Sequence, residues 1–230
     1  MKSNCLATII TLFSLTQLVL ADHHEEGFRS IFDGKSLDGW DGNREFWSVR
    51  DGAITGLTTS EKPTPGNTFI IWRGGQVADF ELRLKFRIVG GNSGIQYRSQ
   101  DLGNWVVGGY QADFEAGERF SGILYDEKGR GVLADRGQVT KVIAQSGKHK
   151  VNVIASVGDS KEINSVIKKE QWNDYQVIAD KNRLMHIING RVTCIITDED
   201  AENADASGLL AFQLHAGPPM KVQFKDIRVK

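Results

Sequence analysis

Cysteine is nearly absent from this sequence, which contains only Cys5 and Cys194. Cys5 lies in an amino-terminal apolar stretch that we predict is removed from the mature protein. Cys194 would then be the single thiol of the mature chain, and one thiol excludes an intramolecular disulfide. We therefore expect the packed core alone to stabilise the fold.

Long hydrophobic runs are lacking after the first twenty residues. Lys2 followed by the apolar run from Leu6 to Leu20 indicates an export signal, and we expect cleavage after Ala21. The run is short and rich in Thr and Ser for a membrane span, and no cysteine directly follows it to carry a lipid. The sequence thus predicts a signal peptide over residues 1–21, a flexible segment over 22–27, and a periplasmic or secreted protein.

Neither sign of charge is in large excess. Loss of Lys2 would reduce 28 basic residues to 27 against 29 acidic ones, a net charge near −2. No basic cluster is dense enough for a phosphate-binding face, so we do not expect a nucleic-acid partner. Removing residues 1–21 from 230 leaves about 209 residues, which suits one large domain over residues 28–230.

Helical patterns are scarce. We expect one short helix between Asp159 and Lys169, because Asp159 or Ser160 can serve as its N-cap and Glu162 falls in its first turn. No convincing internal repeat indicates a propeller or a solenoid.

Alternating strands separated by glycine-containing turns make up the rest of the chain. The clearest strand runs from Asp79 to Val89, and Asn189-Gly190 between two alternating runs predicts a hairpin. Asp126 to Gly131 is predicted to be a polar loop. The fold class expected is all-β, an antiparallel two-sheet β-sandwich of jelly-roll type with one short helix.

The stretch from Gly90 to Glu115 contains two strands rich in polar residues. Two faces are expected from the period of two: Gln96 and Arg98 share one, and Gln111, Asp113 and Glu115 share the other. If both strands lie in one sheet with these faces aligned, the side chains form a patch about the size of a sugar ring. The alternative is a solvated outer face of an antiparallel sheet.

Ordered sequence blocks between Phe28 and Val229 resemble the 3-keto-disaccharide hydrolase family. They are Ile31 to Trp40, Trp47 to Ile54, Phe80 to Leu82, Asn92 to Ile95, Gly109-Tyr110, Trp172-Asn173, Ile188 to Gly190, and Gly208 to His215 closing with Phe224 to Ile227. The resemblance implies a concanavalin-like jelly roll, an exported bacterial protein, and action on glycosides whose C3 hydroxyl is oxidised to a ketone. This sequence departs from the family at two positions, since members commonly carry an acid at the position of Gln111 and an amide at that of Asp113.

The implied chemistry needs a base, an acid and donors for an enolate. A ketone at C3 acidifies the hydrogen at C2, so the bond at C1 can break by elimination and water can then add. We expect Asp113 to act as the base and Glu115 as the acid, with His215 as an alternative base. Arg98 and Gln96 would orient and polarise the ketone.

Further residues are expected to bind the sugar or a metal. The substrate-binding candidates are Asn92, Gln96, Gln111, Trp105, Tyr125 and Gln213. A divalent cation is a second possibility beside a metal-free site, and its candidate ligands are Asp113, Glu115, His215 and His186.

Other functions remain open at this point. A jelly roll hosts non-catalytic carbohydrate-binding modules as readily as enzymes. A standard glycosidase with two carboxylates is a second alternative, because Asp113 and Glu115 lie two residues apart on a strand. A structural or adhesion domain is a third.

Overall fold

A computed structural model describes residues 27–230, so the predicted signal peptide and residues 22–26 of the predicted flexible segment lie outside the described residues. Seventeen strands and one helix follow in chain order: β1 (Arg29–Ser30), β2 (Trp40–Asp41), β3 (Trp47–Arg50), β4 (Ala53–Leu57), β5 (Thr68–Trp72), β6 (Phe80–Val89), β7 (Asn92–Gly103), β8 (Val106–Glu115), β9 (Leu124–Glu127), β10 (Gly131–Ala134), β11 (Gln138–Gln145), β12 (Lys148–Ser156), α1 (Ser160–Asn164), β13 (Asn173–Asp180), β14 (Arg183–Ile188), β15 (Arg191–Glu199), β16 (Leu209–Leu214) and β17 (Lys221–Val229).

Two sheets pack face to face. A ten-stranded sheet has the order β12-β11-β15-β14-β13-β6-β17-β4-β3, with β1 paired to β17. A seven-stranded sheet has the order β10-β9-β8-β7-β16-β5-β2. The prediction of an all-β, two-sheet sandwich with one short helix is confirmed.

Strand alternation generates the core between the sheets. Strand β6 alternates buried and half-buried residues along its length, with Phe80 to Ile88 facing inward at every second position. Aromatic rings meet across the sandwich, with Phe86 and Phe114 at 4.1 Å and Phe212 and Phe224 at 4.0 Å between centroids. Full burial of each such ring contributes roughly 2 to 3 kcal/mol of hydrophobic stabilisation. The core can therefore stabilise the fold without a disulfide.

Three local predictions differ from the structure. Strand β11 pairs with β15 in parallel, so one sheet is not purely antiparallel. The expected polar loop begins later than predicted, because β9 extends through Glu127. The helix ends at Asn164, well before Lys169, although Asp159 caps it by accepting hydrogen bonds from two backbone N–H groups as expected.

Candidate functional site

The outer face of the seven-stranded sheet brings together most of the predicted site residues. Gln96 on β7 lies opposite Gln111 on β8, which lies opposite Tyr125 on β9. One step along the same strands, Gly94 lies opposite Asp113. Residues two positions apart share a strand face. The face and its margin also carry Asn92, Glu115, Glu127, Gln213 and His215.

A chain of hydrogen bonds crosses this face and ends on a carboxylate. The hydroxyl of Ser99 donates to Gln96 Oε1 at 2.6 Å, and Gln96 Nε2 donates to Gln111 Oε1 at 2.8 Å. Gln111 Nε2 then donates to Asp113 Oδ1 at 2.5 Å. Each amide has its oxygen and nitrogen engaged in turn, so the chain sets the orientation of the Asp113 carboxyl.

Gly94 is required where this chain passes over β7. A Cβ placed on Gly94 would lie 2.5 Å from Gln111 Cδ and 3.0 Å from Asp113 Oδ1, closer than real side chains approach. The glycine therefore lets the two polar side chains settle onto the backbone of the neighbouring strand.

The Asp113 carboxyl is buried, with only 5% of the residue exposed. Burial raises the pKa of Asp113 well above its usual range, and the charges of Glu127 and Glu115 raise it further. Hydrogen bonds from Gln111 and Asn92 oppose this rise. Asp113 therefore holds its proton to higher pH than an ordinary aspartate.

Glu127 is a second buried carboxyl on the same face, with 7% of the residue exposed. Burial raises its pKa, while Lys128, Asn67, His215 and Gln213 each favour its ionised form and limit that rise.

Sequence patterns do not identify Glu127 and Asn67 as site residues: Glu127 falls in the predicted polar loop, and Asn67 lies outside every predicted strand. The signal for Glu127 was the alternation that includes Tyr125 and continues two residues further than the predicted strand end. Asn67 precedes β5 directly, and no local pattern in the sequence distinguishes it from an ordinary turn residue. It becomes a site residue only because the fold places it beside Glu127.

His215 stands at the margin of the face with a defined tautomer. Its Nδ1 lies 2.5 Å from the carbonyl oxygen of Ala216, which can only accept, so Nδ1 carries the proton and Nε2 is the free acceptor of the neutral ring. The N–H of Ala216 in turn donates to Asn67 Oδ1 at 3.0 Å. This leaves the Asn67 amide nitrogen to face Glu127.

Gln213 is a buried amide without a hydrogen-bond partner among residues 27–230. The residue has no exposed surface, and neither Oε1 nor Nε2 forms a hydrogen bond, although the side chain is near enough to Glu127 to favour its ionised form. Leaving a buried polar group unpaired is costly. The unpaired amide therefore marks a position suited to a polar ligand.

Glu115, the acid expected from sequence, contacts the loop that follows β8. Its Oε1 accepts hydrogen bonds from the backbone N–H groups of Arg119 and Phe120 at 2.5 and 2.9 Å. Its own N–H donates to the Ser121 hydroxyl at 3.0 Å. The carboxylate thus anchors the loop that follows β8.

Arg98 does not share a face with Gln96, so that prediction is wrong. The register of β7 shifts between Tyr97 and Gln100, and Arg98 adopts φ of 49° there. The turn of the backbone sends the guanidinium away from the site, where it donates to the carbonyl oxygens of Ala78 and Lys181, both at 2.7 Å. A β-bulge reverses side-chain direction in this way, and a period of two alone does not reveal it.

His186 also lies apart from the site. It is buried between the sheets, with Nε2 2.9 Å from the Tyr97 hydroxyl and Nδ1 3.1 Å from the Ile123 carbonyl oxygen. The predicted metal set is therefore not assembled. Within residues 27–230 no group of three or more His, Cys, Asp or Glu side chains is placed to hold a metal ion.

Trp105 lies at the tip of the β7–β8 hairpin. Both strands belong to the seven-stranded sheet, and the tip of the hairpin bends over the outer face of that sheet. The Trp105 carbonyl accepts from the Phe69 N–H at 2.9 Å, and its Nε1 donates to Asp41 Oδ1 at 2.8 Å. Arg73 Nη2 joins Asp41 and Asp101 at 2.7 and 2.8 Å and latches the tip. The hairpin's own Val107 packs with Phe69, Ile71 and Ala211 in a fully buried apolar cluster. The hairpin tip thus covers one half of the outer face, and the polar side chains lie on the other half.

A groove of about 800 Å³ lies on the opposite side of the molecule, on the ten-stranded sheet. Charged residues of its lining form ion pairs, as in the contacts of Lys85 with Asp174 at 2.5 Å and of Arg83 with Glu81 at 2.6 Å. We place the candidate site at the seven-stranded face, because that is where buried carboxyls with raised pKa values lie beside an unpaired amide.

The chain resembles known proteins in sequence and in fold. The family model described as 3-keto-alpha-glucoside-1,2-lyase-like domain matches residues 27–230. A "putative glycosyl hydrolase" from Parabacteroides distasonis ATCC 8503 is 17% identical, with a TM-score of 0.55, over 88% of this chain and 98% of that chain. A second structure so named, from the same organism, is 18% identical, with a TM-score of 0.56, over 89% and 94%.

The carbohydrate binding module CBM66 from Bacillus subtilis has a similar fold. It is 14% identical, with a TM-score of 0.51, over 83% of this chain and 94% of that chain. Among proteins of curated function, none matches this chain in sequence. In the described part of the chain, no helix has the length and apolar character needed to cross a membrane. Likeness at these identities concerns the fold alone.

Proposed function

This chain belongs to the family of 3-keto-alpha-glucoside-1,2-lyase-like domains, and we propose that it cleaves glycosides whose C3 carries a ketone. The observation that carries the proposal is a pair of buried carboxyls, Asp113 and Glu127, on a sheet face that also holds the unpaired amide of Gln213. Perturbed carboxyl pKa values beside an unsatisfied donor are the features expected of an acid–base site.

The proposed reaction starts at C2 of the keto sugar. A base removes the C2 proton, the electrons form an enolate on the C3 oxygen, and the C1–O bond then breaks as the leaving oxygen takes a proton from an acid. Water adds to C1 of the resulting enone, and a proton returns to C2. The net change is hydrolysis, and both catalytic groups return to their first protonation states.

We assign Glu127 as the base and Asp113 as the acid. Burial raises the pKa of Asp113 well above its usual range and the charge of Glu127 raises it further, so we assign the protonated form to Asp113. Asn67, Lys128 and His215 favour ionised Glu127. A pair of carboxyls whose environments separate their pKa values divides the two roles in this manner. This assignment reverses the expectation from sequence that Asp113 is the base.

Gln213 is assigned as the donor to the C3 oxygen. Its Nε2 is buried and meets no partner in full hydrogen-bond geometry, and its weak attraction to the Glu127 carboxylate leaves it able to donate to developing enolate charge. The free Nε2 acceptor of His215 makes this residue the alternative base. Gln96 and Gln111 hold Asp113 in place through their hydrogen bonds.

The remaining predicted residues keep binding roles in the proposal. Tyr125 lies opposite Gln111 and is half-exposed at the rim, where its hydroxyl can donate to the sugar. Asn92 favours the ionised form of Asp113 through a side-chain hydrogen bond, as Gln111 does. Trp105 stays a substrate-binding candidate, at the hairpin tip beside the closed half of the face. We also propose that the protein is exported and acts on a glycoside or oligosaccharide outside the cytoplasm.

The test is a cleavage assay with residues 22–230 against a 3-keto-glucoside and its unoxidised parent, each with and without a chelator. We expect cleavage of the keto form alone. Reaction in D₂O should place deuterium at C2 of the product, because elimination and hydration exchange that proton. Loss of activity with chelator would add a divalent cation to the site.

Variants then test the acid–base pair. Asp113→Asn and Glu127→Gln should each lower kcat/KM by roughly 10²- to 10⁴-fold, the usual contribution of a positioned acid or base. Glu118→Gln, on the exposed loop after β8, is the control and should leave the rate unchanged.

Two outcomes would favour other functions. Cleavage of the unoxidised parent at a similar rate would indicate a standard two-carboxylate glycosidase. Glycan binding without any cleavage would indicate a carbohydrate-binding module, the function that the name of the Bacillus subtilis structure states for that protein.

A further inference from the structure

Phe120 is an exposed aromatic residue beside the site. It lies in the loop between β8 and β9, and 39% of the residue is exposed. Within residues 27–230 it is the one aromatic among the exposed large apolar side chains, the others being Leu102, Val132, Val153 and Ile154. Phe120 belongs to neither hydrophobic core cluster of the described residues, so packing in the core does not account for its position.

The loop places Phe120 at the rim of the face that carries Asp113. The Glu115 side chain lies on that face and affects the pKa of Asp113, and its Oε1 accepts the backbone N–H of Phe120 at 2.9 Å. The loop returns to the same strand, since the Gly122 N–H donates to the Asp113 carbonyl at 2.8 Å. Phe120 is thus tied to the strand that carries the buried acid, but outside the buried cluster.

The backbone of this loop is held before any ligand binds. Arg136 donates from Nη1 to the Ser121 carbonyl at 2.6 Å and from Nη2 to the Glu118 carbonyl at 2.7 Å. The Arg119 guanidinium lies 5.6 Å from the centroid of the Phe120 ring. Two half-buried charged side chains, Glu115 and Arg136, thus hold the backbone of one short surface loop. A ring presented on a fixed backbone loses little conformational entropy when it binds a ligand.

We propose that Phe120 is the stacking platform for the leaving group of the glycoside. This inference rests on the proposed function. On that function Asp113 protonates the leaving oxygen, and the loop that carries Phe120 is hydrogen-bonded to the strand of Asp113, so we place the ring on the leaving-group side of the site. The apolar face of a second sugar, or a phenyl ring in its place, can pack on the exposed side of Phe120.

The test compares phenyl and methyl 3-keto-glucosides as substrates. An aromatic contact contributes roughly 0.5 to 1.5 kcal/mol, which corresponds to about 2- to 12-fold in kcat/KM. We expect Phe120→Ala to lower the preference for the phenyl over the methyl glycoside by that factor, mainly through KM. Phe120→Trp should restore the preference. Val153→Ala, an exposed apolar residue on β12 of the other sheet, is the matched control and should leave it unchanged.

The outcomes separate this inference from the proposed function. If keto-glycosides are cleaved and Phe120→Ala changes both substrates equally, the platform is refuted while the enzyme remains. If the wild-type protein cleaves neither substrate, the proposed function fails, and ligand-detected NMR with phenyl glucoside decides the platform. Binding that is lost in Phe120→Ala and kept in Phe120→Trp supports it, and any other result overturns it.

Discussion

Gly94 controls how closely Gln111 and Asp113 approach the centre of the polar face. In Gly94→Ala the new methyl group would collide with both side chains, so we expect the hydrogen bond between them to break and kcat/KM to fall at least tenfold. Kinetics on a 3-keto-glucoside, with the melting temperature measured in parallel, checks this.

Gly66→Ala is the control for that variant. Gly66 has no atom within 4 Å of an added Cβ and needs no positive φ, so its substitution should change neither rate nor melting temperature. Equal effects of the two variants would mean that the crowding at Gly94 is irrelevant to function.

The carboxyl pair predicts a bell-shaped dependence of kcat/KM on pH. The base Glu127 must be ionised, so the rate should fall as pH drops through its pKa, which burial raises above the ordinary value. The acid Asp113 must be protonated, so the rate should fall again as pH rises through its own raised pKa. Asp113→Asn should remove the alkaline limb from the residual activity. An unchanged alkaline limb in that variant would assign it to another group.

His186 makes the fold sensitive to acid. Burial lowers the pKa of His186 from 6.5 to about 3, so the folded protein resists protonating it while the unfolded chain takes up the proton freely. Stability from this residue is present above pH 6.5 and is lost as pH falls toward 3, by on the order of 5 kcal/mol. Urea unfolding of the wild-type protein and of His186→Gln at several pH values measures this.

The His186→Gln variant tests whether His186 causes the loss of stability at acid pH. We expect His186→Gln to have a flatter dependence of unfolding free energy on pH between 6.5 and 3, even if it is less stable at neutral pH. His215→Gln, at the margin of the face, serves as the comparison. A wild-type slope retained in His186→Gln would place the acid sensitivity in other groups.

The β7–β8 hairpin depends on Asp41 for its position across the sheet. Asp41 accepts from Trp105 and pairs with Arg73, so Asp41→Ala should release both partners of the latch. We expect the Phe69 amide, which donates to the Trp105 carbonyl, to exchange its hydrogen at least tenfold faster. Hydrogen exchange followed by NMR gives this rate, and Asp38→Ala on a nearby exposed turn is the control. Protection of Phe69 unchanged in Asp41→Ala would show that the apolar cluster alone holds the hairpin.

The elements were predictable wherever a regular local pattern continued. Strand β6 and the hairpin at Asn189-Gly190 follow directly from alternation and turn residues. Arg98 was misplaced because a bulge reverses its direction, and bulges depend on tertiary contacts such as the carbonyl groups that receive its guanidinium. Asn67 and Glu127 come together only through distant pairings, which no local pattern encodes.

The molecule as a whole could be assigned to its class from sequence because many short alternating strands have few ways to bury one face each. The parallel pairing of β11 with β15 was outside that reasoning. It joins segments far apart in the chain, and its register is set by the hydrophobic faces of both sheets rather than by a turn.

Cys194 can report unfolding of the whole domain. It is buried at the middle of β15, and burial raises the pKa of its thiol to about 12, so both access and thiolate formation are suppressed. In residues 22–230, which lack Cys5, we expect a thiol reagent to react only at the rate at which the whole domain opens. Reaction rates measured across a urea titration should follow the unfolding transition. Fast reaction in native buffer would instead reveal local opening of β15.

The latched hairpin has a consequence for how a longer sugar chain would be degraded. The tip of the hairpin is fixed across β16 and β5. Its backbone therefore blocks one end of the polar half of the sheet. A polymer cannot thread through such a dead end, so an oligosaccharide must enter by one terminus and leave before the next unit can be presented. On the proposed function, degradation would be distributive, with products of every intermediate length accumulating in solution rather than a single chain being consumed to its end.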